Sequence, residues 1–343
     1  MKKSQEQSIH PLTLIIFVVM IVSALILYFI KKDQIALEST HSLQRLKTYM
    51  QQAAPLMEQR SVFPRFSLSA EAVYNKEVGF IASDTEPIRA RLSKPKGNGP
   101  FPIIVIVHGG KGGDAIATDA IAQLLGERFT RELSVLTVTV DWRNSAYGQG
   151  DVVDVTSAID SIRERFDAEQ YPLTVLGIDR GAYIALAAIQ KTAKPVAGFM
   201  SFYGITHPDE YYRYLQTQNQ KQAQQFVLQT GCQHETQPEL CLNTLSIKKK
   251  TPLRIPALIE HSTMDMVVPI AQSELLAEQF DASMLTWYTP KDSAVTHGFM
   301  EQEQATGFEE GMNYCMQWFQ QQFFVTSASS LSTSTTPAPT STY

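Results

Sequence analysis

Short apolar runs alternate with amphipathic segments through the middle of this 343-residue chain. Continuous apolar runs of about four to eight residues are typical of strands buried on both faces, and apolar positions three or four apart are typical of helices. Regular alternation of the two predicts a mostly parallel sheet with helices on both faces. The predicted strands cover residues 77–82, 88–92, 103–107, 134–140, 173–177, 196–202, 257–260 and 284–288.

The predicted helices lie between these strands and after the last one. They cover residues 117–129, 151–166, 182–190, 270–280 and 308–323. The first two strands differ from the others, because apolar and polar residues alternate along them and a turn at residues 83–87 separates them. We therefore expect the first two strands to be antiparallel.

Strand–helix alternation stops between residues 205 and 253, where Gln and Tyr are abundant. We expect residues 205–253 to form a small, mostly helical cap over the sheet. Ligands of open α/β sheets bind outside the carboxyl ends of the strands, and a cap inserted after a strand would lie there.

The ends of the chain differ from its middle. Residues 12–30 contain no charged side chain and are mostly Leu, Ile, Val or Phe. A membrane-spanning helix needs about 20 such residues, whereas a cleaved signal peptide has an apolar core of about 7–15. We predict a single-pass membrane anchor at residues 12–30, preceded by a short tail at residues 1–11. A stalk at residues 31–72, a folded domain at residues 73–325 and a disordered Ser/Thr/Pro tail at residues 326–343 follow.

The charge balance excludes one class of partner. The formal net charge is -5, and the only dense basic run, residues 248–250, is typical of a solvated loop. A nucleic-acid partner is therefore not expected. The expected partners are the membrane, through residues 12–30, and a small molecule that the sequence does not identify. No cofactor is predicted.

Three cysteines are present. Cys232 and Cys241 are close in the chain and are candidates for a disulfide in an oxidising compartment, so we expect an extracytoplasmic domain, periplasmic or extracellular. A zinc site from Cys232, His234 and Cys241 is the alternative, and it lacks a fourth ligand. Cys315 falls in the last predicted helix and is expected to be a buried small hydrophobe.

Candidate chemistry begins with the sequence G-I-D-R-G at residues 177–181, between a buried strand and a helix. A G-x-S-x-G turn in this context is a nucleophile elbow, whose glycines permit a sharp turn around a strained central residue. The central residue here is Asp179, where a serine is usual.

A glycine-rich loop at residues 108–113 follows an earlier predicted strand. Loops in this position complete an oxyanion hole together with the N–H group after the nucleophile. The candidate donors are the backbone N–H groups of Gly110, Lys111 and Arg180.

Two further polar residues follow later strands in the required order. Asp265 comes after the strand at residues 257–260, and His297 comes after the strand at residues 284–288. Nucleophile, acid and histidine occur in this order in hydrolases that carry such an elbow. Asp179, Asp265 and His297 are therefore the predicted catalytic set.

These segments resemble the catalytic domain of prolyl oligopeptidase-type peptidases and the related dienelactone hydrolases. The resemblance runs from about residue 73 to residue 323. Its motifs are PIIVIVHGG at 102–110, DWRNS at 141–145, HSTMDMVVP at 261–269 and THGF at 296–299. It implies an α/β-hydrolase fold, with Asp265 as triad acid and His297 as triad base. No β-propeller precedes this domain, so the gating of oligopeptidases is not implied.

Two positions depart from the family pattern. Ser262 replaces a usual glycine, and Asp179 replaces the nucleophilic serine. Asp179 followed by Arg-Gly also resembles haloacetate dehalogenases and some epoxide hydrolases, in which an aspartate is the nucleophile. Tyr183 stands where the dehalogenases place a second arginine.

An aspartate at the elbow changes which reactions are chemically reasonable. Attack on an acyl carbon would leave an unstable mixed anhydride, whereas attack on a saturated carbon bearing a leaving group gives an ester. His297 would then activate water to cleave that ester. Tyr203, Tyr211 and Tyr212 are candidates either for contacting the substrate, with Tyr214, or for packing the cap.

Three hypotheses follow. The first is a membrane-anchored hydrolase that uses Asp179, His297 and Asp265. The second is a catalytically silent hydrolase-fold binding module. The third is a serine hydrolase that uses Ser201 or Ser262, although neither residue lies on an elbow. The presence of both His297 and Asp265 favours activity, and the aspartate at the elbow argues against ordinary ester or peptide cleavage.

Overall fold

The computed structural model describes residues 74–81, 87–97, 99, 101–145, 147, 149–165, 171–234, 236–247 and 252–324. All of them belong to one unit, Leu56–Tyr343. The segments predicted at residues 1–11, 12–30, 31–72 and 326–343, and the lysines at 248–250, lie outside the described residues. Within the described part, no helix is both long enough and apolar enough to cross a bilayer.

Eight strands form one mixed sheet. In chain order they are β1 (Tyr74–Ile81), β2 (Pro87–Lys94), β3 (Ile103–Val107), β4 (Leu136–Val140), β5 (Leu173–Ile178), β6 (Gly198–Phe202), β7 (Ala257–Glu260) and β8 (Leu285–Tyr288). Their spatial order is β1-β2-β4-β3-β5-β6-β7-β8. The pair β1–β2 is antiparallel, as the sequence predicts. The pair β2–β4 is also antiparallel, and every other pair is parallel.

Nine α-helices are present in the described part of the chain. They are α1 (Ala115–Ile121), α2 (Glu127–Leu133), α3 (Gln149–Arg165), α4 (Arg180–Ile189), α5 (Pro208–Gln218), α6 (Gln220–Gln229), α7 (Pro238–Leu245), α8 (Ala271–Ala277) and α9 (Phe308–Phe323).

The central strands are fully buried because helices cover both faces of the sheet. In β3, Ile104 and Ile106 pack in a core cluster with residues of α2 and α9. Successive side chains of a strand point to opposite faces, so Val105 lies on the other face, the one against which α4 packs. All five residues of β3 are buried. The continuous apolar run in the sequence therefore reflects two covered faces.

Two predicted boundaries change for local reasons. The single helix predicted at residues 117–129 is α1 and α2 joined by a π-helical segment, Ala122–Gly126. The strand predicted from residue 134 begins at Leu136, because Ser134 has a left-handed φ of 53° and ends α2. A residue in that conformation commonly ends a helix and cannot continue as strand.

The segment at residues 205–253 contains three α-helices, α5, α6 and α7, together with the 3-10 turn Cys232–His234. Asn219 separates α5 from α6, and its side chain caps α6 by accepting from the N–H groups of Lys221 and Gln222. A disulfide joins Cys232 to Cys241 within this helical cap. These two thiols are therefore not available as zinc ligands.

Candidate active site

Asp179 lies in a sharp turn between β5 and α4. Its φ of 49° and ψ of -122° are strained values for a residue with a side chain. A Cβ at position 177 would stand 2.3 Å from Ala182 Cα, and one at position 181 would stand 2.2 Å from the Val107 carbonyl oxygen. Both positions therefore require glycine, and the turn holds the Asp179 side chain above the end of the sheet.

The Asp179 carboxylate lies against the loop that follows β3. The Gly110 N–H donates to Asp179 Oδ2 at 3.2 Å. A Cβ on Gly109 would stand 2.8 Å from the Asp179 Cβ, so glycine permits this close approach. The carboxylate thus occupies the place where the sequence predicts an oxyanion hole. Lys111, a further predicted donor, lines the adjoining cavity.

The ionisation of Asp179 is set by opposing effects. Burial raises its pKa above the ordinary value, and the charge of His297 and the N–H groups of Arg180 and Gly110 act against that rise. These same groups are the ones that would stabilise negative charge on a reacting oxygen.

His297 and Asp265 form a hydrogen-bonded pair. Asp265 Oδ2 lies 2.8 Å from His297 Nδ1, and its Oδ1 accepts from the N–H groups of Val267 and Val268, each at 2.8 Å. Burial opposes ionisation of Asp265, but hydrogen bonds from His261 and His297 hold its pKa well below the usual range. Asp265 is therefore a fixed carboxylate that orients the imidazole.

His297 itself faces the cavity. Burial favours the neutral imidazole, but the hydrogen bond and charge of Asp265, with the charges of Asp179 and Glu301, outweigh it and raise the pKa of His297. The carboxyl groups around His297 therefore favour its protonated form.

Glu301 is a component of the site that the sequence did not reveal. The Tyr203 hydroxyl donates to Glu301 Oε1 at 3.0 Å, and the Tyr203 ring lies edge-on to His297 with centroids 4.8 Å apart. Burial and the charge of Asp179 both raise the pKa of Glu301. Its position four residues after His297, in the loop before α9, is the only local signal.

The Arg180 side chain also has a defined role that its place in the elbow motif did not predict. Its guanidinium donates to Asp151 at 2.8 Å and to Asn144 at 3.0 Å. It lies over the rings of Trp142 and Tyr147, at 4.6 and 4.2 Å from their centroids. These contacts fix the first turn of α4 and with it the backbone N–H next to Asp179.

A cavity of about 580 Å³ opens over Asp179 and His297. The cap covers it with residues of α5 and α6, including Tyr211, Tyr214, Leu215, Gln218, Gln222, Gln225, Phe226, Leu228 and Gln229. The loop that carries Asp265 adds Met266 and Val267. The cap thus lies at the carboxyl ends of the strands, beside the elbow.

Of the four tyrosines singled out in the sequence, Tyr211 and Tyr214 line the cavity and the other two do not. Tyr203 directly follows β6, is fully buried and packs beside His297. Tyr212 is buried on another face of α5 than Tyr211. Tyr203 lies beneath the site and does not line the cavity. Tyr212 does not line it either, because adjacent positions on a helix point in different directions.

The two serines considered as alternative nucleophiles are also buried away from the cavity. The Ser262 hydroxyl donates to the Val295 carbonyl oxygen. Asp179 is therefore the elbow side chain that a ligand in the cavity would meet.

Comparison with known proteins agrees with this architecture. The BD-FAE family model matches residues 92–280. An esterase from the archaeon Pyrobaculum calidifontis superposes with a TM-score of 0.56 at 16% identity, covering 79% of this chain and 90% of its own. A structure described as a bacterial heroin esterase gives 0.56 at 18% identity, covering 75% and 87%. No curated protein sequence matches the chain.

A third similar structure is the acylaminoacyl peptidase of Pyrococcus horikoshii, with a TM-score of 0.53 at 16% identity. The match covers 74% of this chain but 42% of the peptidase. The predicted α/β-hydrolase fold and its likeness to prolyl oligopeptidase-type domains are confirmed. At these identities the similarity concerns the fold.

Proposed function

Because this chain belongs to the BD-FAE family, we propose that it is a hydrolase, and that Asp179 is its nucleophile with His297 as base and Asp265 as orienting acid. The neighbouring esterase and peptidase structures support the general class. The observation that carries the particular mechanism is that Asp179 and His297 line one cavity, with Asp265 Oδ2 2.8 Å from His297 Nδ1.

The first step is attack of an Asp179 oxygen on a saturated carbon. A carbon–oxygen bond forms, the bond to the leaving group breaks, and the leaving group departs with the electron pair. One Asp179 oxygen is held by Gly110, which leaves the other as nucleophile. The product is an ester, in keeping with the chemistry of a carboxylate nucleophile.

The second step is hydrolysis of that ester. Formation of the ester removes the negative charge of Asp179, one of the charges that raise the pKa of His297. The imidazole then loses its proton more readily and can take one from water. The hydroxide adds to the Asp179 carbonyl carbon, and the N–H groups of Gly110 and Arg180 stabilise the oxyanion. Collapse releases the alcohol with a proton from His297 and leaves Asp179 as a carboxylic acid. The acid then passes its proton to the imidazole, which restores the carboxylate.

This mechanism predicts where the oxygen of water goes. We expect full-length protein to turn over a haloacid or an epoxide, and not acyl esters, in a panel of all three. A single turnover in ¹⁸O-water should place ¹⁸O in the Asp179 carboxylate, detected in the peptide that contains it. His297→Ala should instead accumulate the Asp179 ester, visible as a mass increase. Asp179→Asn is the matched control and should show neither product.

One observation favours a second candidate, a silent binding module. The Asp179 carboxylate fills the oxyanion position, so a substrate carbonyl cannot enter it. In that case ligands would bind in the cavity, no substrate of the panel would be consumed, and His297→Ala would accumulate no adduct. Ester hydrolysis that persists in Asp179→Asn would contradict both candidates.

The setting of the domain is also a proposal. The uncharged span at residues 12–30 supports a single-pass membrane anchor. The disulfide between Cys232 and Cys241 supports an oxidising, extracytoplasmic environment for the domain.

A further inference from the structure

Three exposed apolar side chains lie among the residues that line the cavity. Leu228 of α6, and Met266 and Val267 of the loop that carries Asp265, all line it. Their exposed fractions are 61%, 71% and 50%. Single exposed apolar residues are ordinary on a protein surface, but a group of them around a cavity indicates a binding surface. We call these three residues the apolar mouth.

Four aromatic residues connect the apolar mouth to the elbow. Tyr214 donates its hydroxyl to the Met266 carbonyl oxygen at 2.7 Å. Tyr214 and Tyr211 have centroids 6.3 Å apart, Tyr211 and Phe226 5.0 Å, and Phe226 and Tyr147 5.5 Å. All four line the cavity, and we call them the aromatic strip.

The inner end of the aromatic strip reaches the elbow. The Tyr147 ring lies 4.2 Å from the guanidinium carbon of Arg180, the residue that follows Asp179. A ligand along the strip would therefore have one end at the reacting carboxylate and the other at the solvent.

The orientation of the rings indicates what kind of group fits against them. Tyr214 and Tyr211 are nearly parallel, at 21°, but the inner pairs are not. Tyr211 and Phe226 are nearly perpendicular, at 88°, and Phe226 and Tyr147 are at 77°. Perpendicular neighbours leave no flat slot in which a planar ligand could stack on successive rings. A flexible hydrocarbon chain can follow such a surface, and the unbranched Met266 side chain adapts to it. The strip itself carries no formal charge for a charged chain to pair with.

We propose that the aromatic strip and the apolar mouth bind an unbranched hydrocarbon chain. The substrate of Asp179 is then an amphiphile whose polar, reacting end lies at the elbow and whose chain runs outward to Met266 and Leu228. The identification of this ligand as a substrate rests on the proposed function, whereas the binding of the hydrocarbon chain does not.

The test measures binding and needs no turnover. Full-length protein in lipid nanodiscs, labelled with ¹³C at the methionine methyl groups, is titrated with 1-alkanols from butanol to octanol at known free aqueous concentration. Affinity should increase about two- to fourfold for each added methylene, as expected for burial of hydrocarbon. The Met266 methyl signal should shift with saturation.

Matched variants locate the chain. Met266→Ser, in the loop that carries Asp265, and Leu228→Ser, in α6, should each weaken octanol binding about three- to tenfold. Met264→Ser is the control, because Met264 is 45% exposed on the same loop and does not line the cavity. It should leave the affinity unchanged. These side chains are exposed, so the substitutions leave the core intact.

Several results would overturn the inference: no saturable binding, affinity independent of chain length, or equal weakening by Met264→Ser. Asp179→Asn should keep the dependence on chain length. If affinity depends on alkanol length while Asp179 is never esterified, the proposed function fails and the hydrocarbon-binding site stands. If Asp179 is esterified but affinity does not depend on alkanol length, only the proposal of a hydrocarbon-binding site fails.

Discussion

The side chain of Asp179 is the main difference between this site and the predicted serine-hydrolase pattern. The elbow, the oxyanion-type loop and the pair of His297 and Asp265 are arranged as in serine hydrolases, but Asp179 adds a second carboxylate beside the imidazole. Glu301 adds a third carboxyl group next to Tyr203. In the proposed mechanism, the charge around His297, rather than the backbone of the elbow, determines which reaction is possible.

Replacing Asp179 by serine should therefore create an esterase. Asp179→Ser removes one of the charges that raise the pKa of His297, so the imidazole becomes an effective base at lower pH. We expect hydrolysis of p-nitrophenyl acetate to rise at least about 100-fold over wild type, in the range of general base catalysis. The rate should increase with pH through the lowered pKa of His297, because only the neutral imidazole accepts the serine proton.

The double variant Asp179→Ser, His297→Ala is the control and should lose this gain. A folded Asp179→Ser protein without esterase activity would show that the site is not organised for acyl transfer.

Glu260 is a second residue whose charge matters, this time for stability. It ends β7 fully buried, and among the described residues neither of its carboxylate oxygens has a hydrogen-bond partner. Burial raises its pKa well above the ordinary 4.5. Because this pKa is higher in the folded state than in the unfolded state, the contribution of Glu260 to the free energy of unfolding depends on pH. The contribution is complete below about pH 4.5 and is lost as the pH rises towards the raised pKa.

Glu260→Gln should remove this pH dependence. We expect the variant to be more stable than wild type at pH 8, by about 1.4 kcal/mol for each unit by which burial raises the pKa of Glu260, because glutamine has no proton to lose. At pH 4 the difference should vanish. Urea unfolding at the two pH values measures it, and an equal effect at both would contradict the assignment.

At the scale of elements, the cap is the part of the fold whose packing the local sequence pattern predicts least. The sequence predicts a helical segment at residues 205–253, and α5, α6 and α7 lie there. Their packing over Asp179 depends on long-range contacts, such as the hydrogen bond from Tyr214 to Met266, 52 residues away. A one-position difference places Tyr211 in the cavity and Tyr212 outside it.

The disulfide should stabilise this cap. Cys232 and Cys241 are separated by nine positions, and closing so short a loop contributes about 2–3 kcal/mol in the chain-entropy treatment. Replacing both cysteines by serine should lower the denaturant midpoint by a corresponding amount and make the cap the first site of proteolysis. Wild-type protein with reductant should behave like the variant, and the variant should not respond to reductant. Unchanged stability in both would show that the bond does not hold the cap.

At the scale of the whole molecule, we expect an anchored, outward-facing domain. Native full-length protein should sediment with membranes and resist extraction by high salt, because residues 12–30 form an apolar span. External protease should cleave the domain in intact cells, and alkylation without reductant should leave Cys232 and Cys241 unmodified. Protection from protease would contradict the orientation, and labelled thiols at both positions would contradict the oxidised state.

The sequence alone determined the order of the strands and helices, the two antiparallel strands and the positions of Asp179, Asp265 and His297. Buried strands and amphipathic helices have local periodicities, and a nucleophile elbow needs glycines at fixed spacing, so a linear pattern records both. A Cβ at position 177 or 181 would collide with the backbone, so both positions require glycine. This requirement is why the elbow motif can be recognised in the sequence.

Only the tertiary structure decided how the side chains are used. The contact of Gly110 with Asp179 joins positions 69 apart, and that of Tyr203 with Glu301 joins positions 98 apart. No periodicity links residues so distant, and the direction of each side chain depends on the elements packed around it. For that reason the filled oxyanion position, the role of Glu301 and the aromatic strip emerged only when the sheet and the cap brought these residues together.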